Sequence, residues 1–138
     1  MNIIKTMCAV SLILFSVSSL AEVSVIVNSA NTEVFDAQKI KRIYLGKIKA
    51  LSNGNKVNVL TLKDDVPGTE VFRQNALKKS NSQFKSYWSK LAFTGKGTPP
   101  KEMASSADMV NAVKSDASSM GFIDSSAVTS DVKVVATF

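Results

Sequence analysis

The chain contains no histidine and one cysteine, Cys8. Histidine is the usual general base near neutral pH and the commonest metal ligand. A Ser-His-Asp triad, a Cys-His pair and an ordinary zinc site therefore have no residues to build them once Cys8 is set aside. No disulfide can form within the chain, so stability must come from the packed core. Long apolar runs are also missing. The only candidate, Met7 to Phe15, is broken by Ser11, is short for a membrane span and has the wrong flanks for one. There is no internal repeat, low-complexity tract or domain linker.

That short run has a different use. Lys5 precedes it as a positive n-region, and Ser19-Leu20-Ala21 follows with small residues at the two positions a signal peptidase inspects. Residues 1–21 are expected to be a cleaved secretory signal, with an uncleaved anchor as the alternative. No small-residue lipobox precedes Cys8, which argues against a lipid anchor. The expected product, residues 22–138, is one domain in a periplasmic or secreted setting, with no membrane span after cleavage. A chain of about 117 residues buries roughly two-thirds of its unfolded surface.

Charge is unevenly placed. Lys39 to Lys101 holds fourteen basic side chains against Asp64, Asp65 and Glu70, while the flanking segments of 22–138 are acidic. Such a dipole favours an anionic partner: a small oxyanion, an acidic protein or an envelope surface. A solvated face that aids solubility explains it equally well. Nucleic acid is a poor fit, since aromatic residues are not interleaved with the lysines.

The periodicities predict β-α-β-α-α-α-β-β. Val23, Val25 and Val27 alternate along a first strand. Asp36 caps a helix whose inner stripe is Ile40, Ile43 and Tyr44, with Phe35 placed as a hydrophobic staple and Gly46 as the stop. Val57 to Leu62 is a second strand, and Glu70 to Lys79 a helix with Phe72 and Ala76 inward. Ser80 and Gln83 form a capping box before Phe84, Tyr87, Trp88, Leu91 and Ala92, a core-facing stripe. Thr94 to Lys101 reads as an irregular loop. Ser105 caps a fourth helix, and Met120 to Asp124 and Val132 to Phe138 close the chain as strands. Strands separated by helices imply a largely parallel sheet, with an antiparallel edge from the last pair.

Two places suit an anion. Lys63-Asp64-Asp65-Val66-Pro67-Gly68-Thr69 joins a strand to a helix N-terminus, where unpaired N–H groups carry partial positive charge. Gly68 permits close backbone approach, Thr69 offers a hydroxyl, Lys63 a point charge, and Asp64 or Asp65 an acceptor for a protonated oxyanion. Turn chemistry and capping explain the same residues. Asn28 and Ser29, with Asn31, leave the first strand at its C-terminal end, a common ligand position in open α/β sheets, or else form an Asx turn. Adjacent residues such as Asp64 and Asp65 seldom converge on one substrate, so an acid/base pair there is a distant alternative, and no cofactor is called for.

Several pieces occur in an order that resembles phosphate-specific substrate-binding proteins of ABC transporters, especially short single-lobe relatives. These are Ile43-Tyr44-Leu45-Gly46-Lys47, the loop Lys63 to Thr69, Phe93-Thr94-Gly95-Lys96-Gly97 with Pro99-Pro100, and Met120-Gly121-Phe122-Ile123-Asp124. The resemblance implies one lobe of a type II periplasmic binding protein, an α/β fold with a mixed, mostly parallel sheet flanked by helices. It implies phosphate or a similar oxyanion at Asp65, Gly68 and Thr69, in a non-enzymatic protein serving transport or sensing. Lys63 stands where the family has arginine, and Pro67 where it has serine, so weak binding is expected. The alternatives are an envelope protein-interaction module that has lost the ligand, or two copies pairing to rebuild a two-lobed cleft.

Overall fold

The computed structural model describes residues 21–138. The expected signal, apart from Ala21, lies outside the described residues. In chain order the elements are β1 (Val23–Asn28), α1 (Ala37–Tyr44), β2 (Asn58–Leu62), α2 (Thr69–Ala76), α3 (Asn81–Phe93), β3 (Lys101–Met103), α4 (Ser106–Ser115), β4 (Ser119–Asp124) and β5 (Val132–Thr137), with a short 3-10 turn at Ser125–Ala127. They form an α/β fold with one five-stranded sheet in the order β3-β2-β4-β1-β5. β2 is parallel to β3 and β4, and β1 is antiparallel to both β4 and β5. Four strands therefore run one way and β1 runs against them. Among the described residues no helix is long and apolar enough to cross a membrane.

Helices cover both faces. Tyr44 of α1, Phe72 of α2 and Phe122 of β4 meet on one face, with the Phe72 and Phe122 rings stacked at 4.0 Å between centroids. On the other face Met109 of α4 packs onto Gly121, where an added Cβ would collide with its thioether. Alternate residues of β4 thus serve opposite helical layers. β1 lies inside this arrangement, so Ser24 and Ile26 are buried along with Val23, Val25 and Val27. The alternation read in the sequence is real, but both of its faces are covered.

Helix ends follow the expected chemistry. Asp36 Oδ1 accepts from the Lys39 amide at 2.7 Å, and Ser105 caps α4 in the same way. Ser80 and Gln83 form the reciprocal capping box. At the end of α1, Gly46 adopts φ 72° and the Lys47 amide donates to Arg42 O at 2.8 Å, the left-handed stop that glycine favours.

Two expectations need correction. Lys101–Met103 is a strand at the sheet edge, not the tail of an irregular loop: it pairs with Leu60–Leu62 of β2 and completes a parallel crossover. The antiparallel edge strand exists, but β5 pairs with β1 and not with β4. The seven residues between β4 and β5 span about 23 Å when extended, enough to return along β1 to the opposite end of the sheet.

Candidate functional site

The loop of residues 63–68 leaves β2 at the C-terminal end of the parallel strands. Its base is tied to the neighbouring strand, since the Lys63 amide donates to Met103 O at 3.2 Å. Gly68 is the N-cap of α2 with φ 93°, and no side chain caps the helix. A Cβ at Gly68 would press on the Val23 side chain at 3.3 Å. Backbone freedom and close packing therefore both favour glycine here. The Glu70 and Val71 N–H groups in the first turn of α2 sit at the positive end of the helix without a capping side chain.

Thr69 is fully buried, and its hydroxyl donates to Lys63 O at 2.8 Å. The hydroxyl expected to face a ligand thus closes the loop on itself, and the Thr69 amide does the same by donating to Val66 O at 3.2 Å, so the donors left at the start of α2 are the neighbouring backbone amides. Lys63 and Asp65 are exposed, and neither takes part in an ion pair among the described residues.

Asp64 behaves differently. Its carboxylate takes the guanidinium of Arg73 on one oxygen and Lys85 Nζ at 2.9 Å on the other. Arg73 is 1% exposed, donates also to Asn81 Oδ1 at 3.0 Å and to Thr61 Oγ1 at 3.3 Å, and lies 4.3 Å over the Phe84 ring. Hydrogen bonds from Lys85 and Arg73 hold the Asp64 carboxyl below its ordinary range. Arg73 was missed as a site residue, yet a signal exists: Thr69, Phe72, Arg73 and Ala76 fall at i, i+3, i+4 and i+7, the buried stripe of α2. Lys85, on the solvent-exposed side of α3, reaches back to the loop.

Asn28 and Ser29 are not brought to this loop. Because β1 runs against β2, its C-terminal end lies at the other end of the sheet, beside the start of β5. Asn28 Nδ2 donates to the carbonyls of Val113 and Lys114 at the end of α4, and its Oδ1 accepts from the Ala30 amide. Every polar atom of that side chain serves the Asx-turn and helix-end reading. Nearby, Glu33 binds Lys39 and accepts from both the hydroxyl and the amide of Ser52. Burial pushes its carboxyl up, but these hydrogen bonds outweigh burial and hold it below the usual value.

The motif glycines meet at a third place. A Cβ on Gly46 would stand 2.7 Å from the Trp88 indole, and one on Gly97 would stand 3.0 Å away. Trp88 Nε1 donates to Tyr44 O at 3.2 Å. The segments around Leu45-Gly46-Lys47 and Phe93 to Pro100 therefore wrap one buried indole, at the N-terminal end of β2.

The fold defines a class: it is that of part of the phosphate-transport receptors. An ABC-type phosphate transport receptor from Vibrio cholerae superposes with a TM-score of 0.57 at 19% identity, covering 83% of this chain and 46% of that one. A protein from Clostridium perfringens, described as a phosphate ABC transporter substrate-binding protein and solved with bound phosphate, gives 0.66 at 18%, covering 83% and 45%. PstS from Borrelia burgdorferi gives 0.61 at 10%, covering 84% and 47%. The chain thus spans less than half the length of these solved relatives. No protein-family profile and no curated protein matches it.

Proposed function

We propose that this chain is an exported, non-enzymatic binding module, residues 22–138 after signal cleavage, that holds phosphate or a similar small oxyanion weakly for transport or sensing. The observation that carries the reading is the uncapped N-terminus of α2, presented by the β2–α2 loop at the C-terminal end of the parallel strands in a phosphate-receptor fold. Backbone amides of Gly68, Glu70 and Val71 would meet the anion, with Lys63 supplying charge and Asp65 accepting a hydrogen bond from the P–O–H of hydrogen phosphate. Asn28 and Ser29 stand apart from this site. Affinity near 1 mM, about −4 kcal/mol, fits a few amides and one lysine in an open setting. The signal-like leader expected over residues 1–21 and the receptor fold both support a periplasmic or secreted location.

The test is an amide-resolved NMR titration with inorganic phosphate at low ionic strength. Saturable shifts centred on residues 68–71, lost in Lys63→Glu, are expected. Unmoved amides in that turn at tens of millimolar phosphate would refute the site. Thr69→Ala is a poor probe, because it opens the loop.

A further inference from the structure

We propose that the cleft beside Trp88 is a docking surface for an acidic, apolar-anchored segment of a partner protein. The cleft has a volume of about 610 Å³ and lies between the α1–β2 connection and the α3–β3 loop. Its wall carries Lys49, Lys56, Lys96 and Lys101, and no aspartate or glutamate lines it. None of the four takes part in an ion pair among the described residues. Lys49 Nζ reaches across to Lys96 O at 3.3 Å, which joins the two rims. Uncompensated positive charge in a concave setting focuses an attractive field on carboxylates.

The floor determines what accompanies the charge. Ile43 and Trp88 are buried beneath it, and Pro99 forms part of the lip. One residue beyond Ala92 of the lining, Phe93 is 93% exposed, an aromatic ring with no cover. An inorganic anion would leave this apolar surface wet, whereas a short peptide with one or two apolar side chains among acids fills a space of this size. A concave cleft matches a chain segment better than a flat bilayer surface. The surface is independent of the oxyanion site, since β2 separates them by about 15 Å.

Trp88 is the only tryptophan, so its emission reports occupancy directly. The probes are a hexapeptide of alternating acidic and apolar residues, Asp-Leu-Glu-Phe-Asp-Glu, and its amide counterpart, Asn-Leu-Gln-Phe-Asn-Gln. A saturable emission change with the acidic peptide is expected, weakened roughly tenfold or more by high salt and by Lys49→Glu combined with Lys96→Glu. Lys56→Glu with Lys101→Glu serves as a second pair in case the first disturbs the rims. Lys63→Glu should leave peptide binding unchanged, which separates this surface from the phosphate site. An equal response to the amide peptide, or none to either, overturns the proposal. So does binding to phosphatidylglycerol vesicles without peptide binding, or lysine-dependent self-association in sedimentation velocity.

Discussion

Arg73, nearly inaccessible to solvent, is held by Asp64, a residue nine positions earlier in the loop that leads into its own helix. The pair ties the β2–α2 loop to the buried face of α2, and Lys85 extends the tie to α3. Removal of the carboxylate leaves a buried guanidinium with neutral partners only. Asp64→Ala is expected to destabilise the protein by about 2–3 kcal/mol, below the full cost of breaking a buried pair because Asp64 is partly exposed. Urea unfolding measures this, and a loss under about 0.5 kcal/mol would contradict the role assigned to the pair.

The same carboxylate gives the protein an acid limit. Asp64 is held low by Lys85 and Arg73, Asp116 by the Ser118 amide, and Asp124 by Ser126. A carboxyl whose folded pKa lies below its unfolded value, about 3.9 for aspartate, contributes stability above that value. The contribution is lost as pH falls through the folded pKa. Stability should therefore be flat from neutral pH to about 5 and decline below about 4. Asp64→Asn should flatten that decline, as read by denaturation at a series of pH values.

Gly46 is doubly constrained. Any side chain there meets the left-handed backbone and the Trp88 ring together. Gly46→Ala is expected to cost about 2–4 kcal/mol and to shift Trp88 emission. Gly54 provides the control, for its φ is 85° but nothing lies within 4 Å of a Cβ. Gly54→Ala should cost only the backbone term, about 1–2 kcal/mol.

Lys78 ends α2 at φ 57°, the one non-glycine residue with positive φ among the described residues. The Lys79 amide donates to Arg73 O at 3.0 Å across this turn. Lys78→Gly should raise stability by about 0.5–1 kcal/mol, since strain relief exceeds the added freedom of the unfolded chain. A thermal melt checks the sign.

Local features were legible in the sequence because they depend on neighbours in the chain. Asp36, Ser80 with Gln83, and Ser105 cap where their spacing places them, and the stripe Ile40, Ile43, Tyr44 is buried. Strand direction was not legible: nothing in Val23–Asn28 encodes that it runs against β2, and that reversal alone carries Asn28 and Ser29 away from the loop. β3 escaped notice because three residues between Pro100 and Ala104 have no period to read. The Thr69 hydroxyl looked free because its partner, Lys63 O, belongs to the turn that only the folded loop creates.

The two borders of the sheet decide how far it can grow. β3 offers three residues on one side. On the other, β5 is out of register with β1 at Val25/Ile26 and carries exposed Lys133 beside Val134. A brief strand and a kinked, charged one are poor templates for another backbone. Fibrillar stacking of neighbouring molecules is thereby discouraged, even when an apolar Val134 faces the solvent.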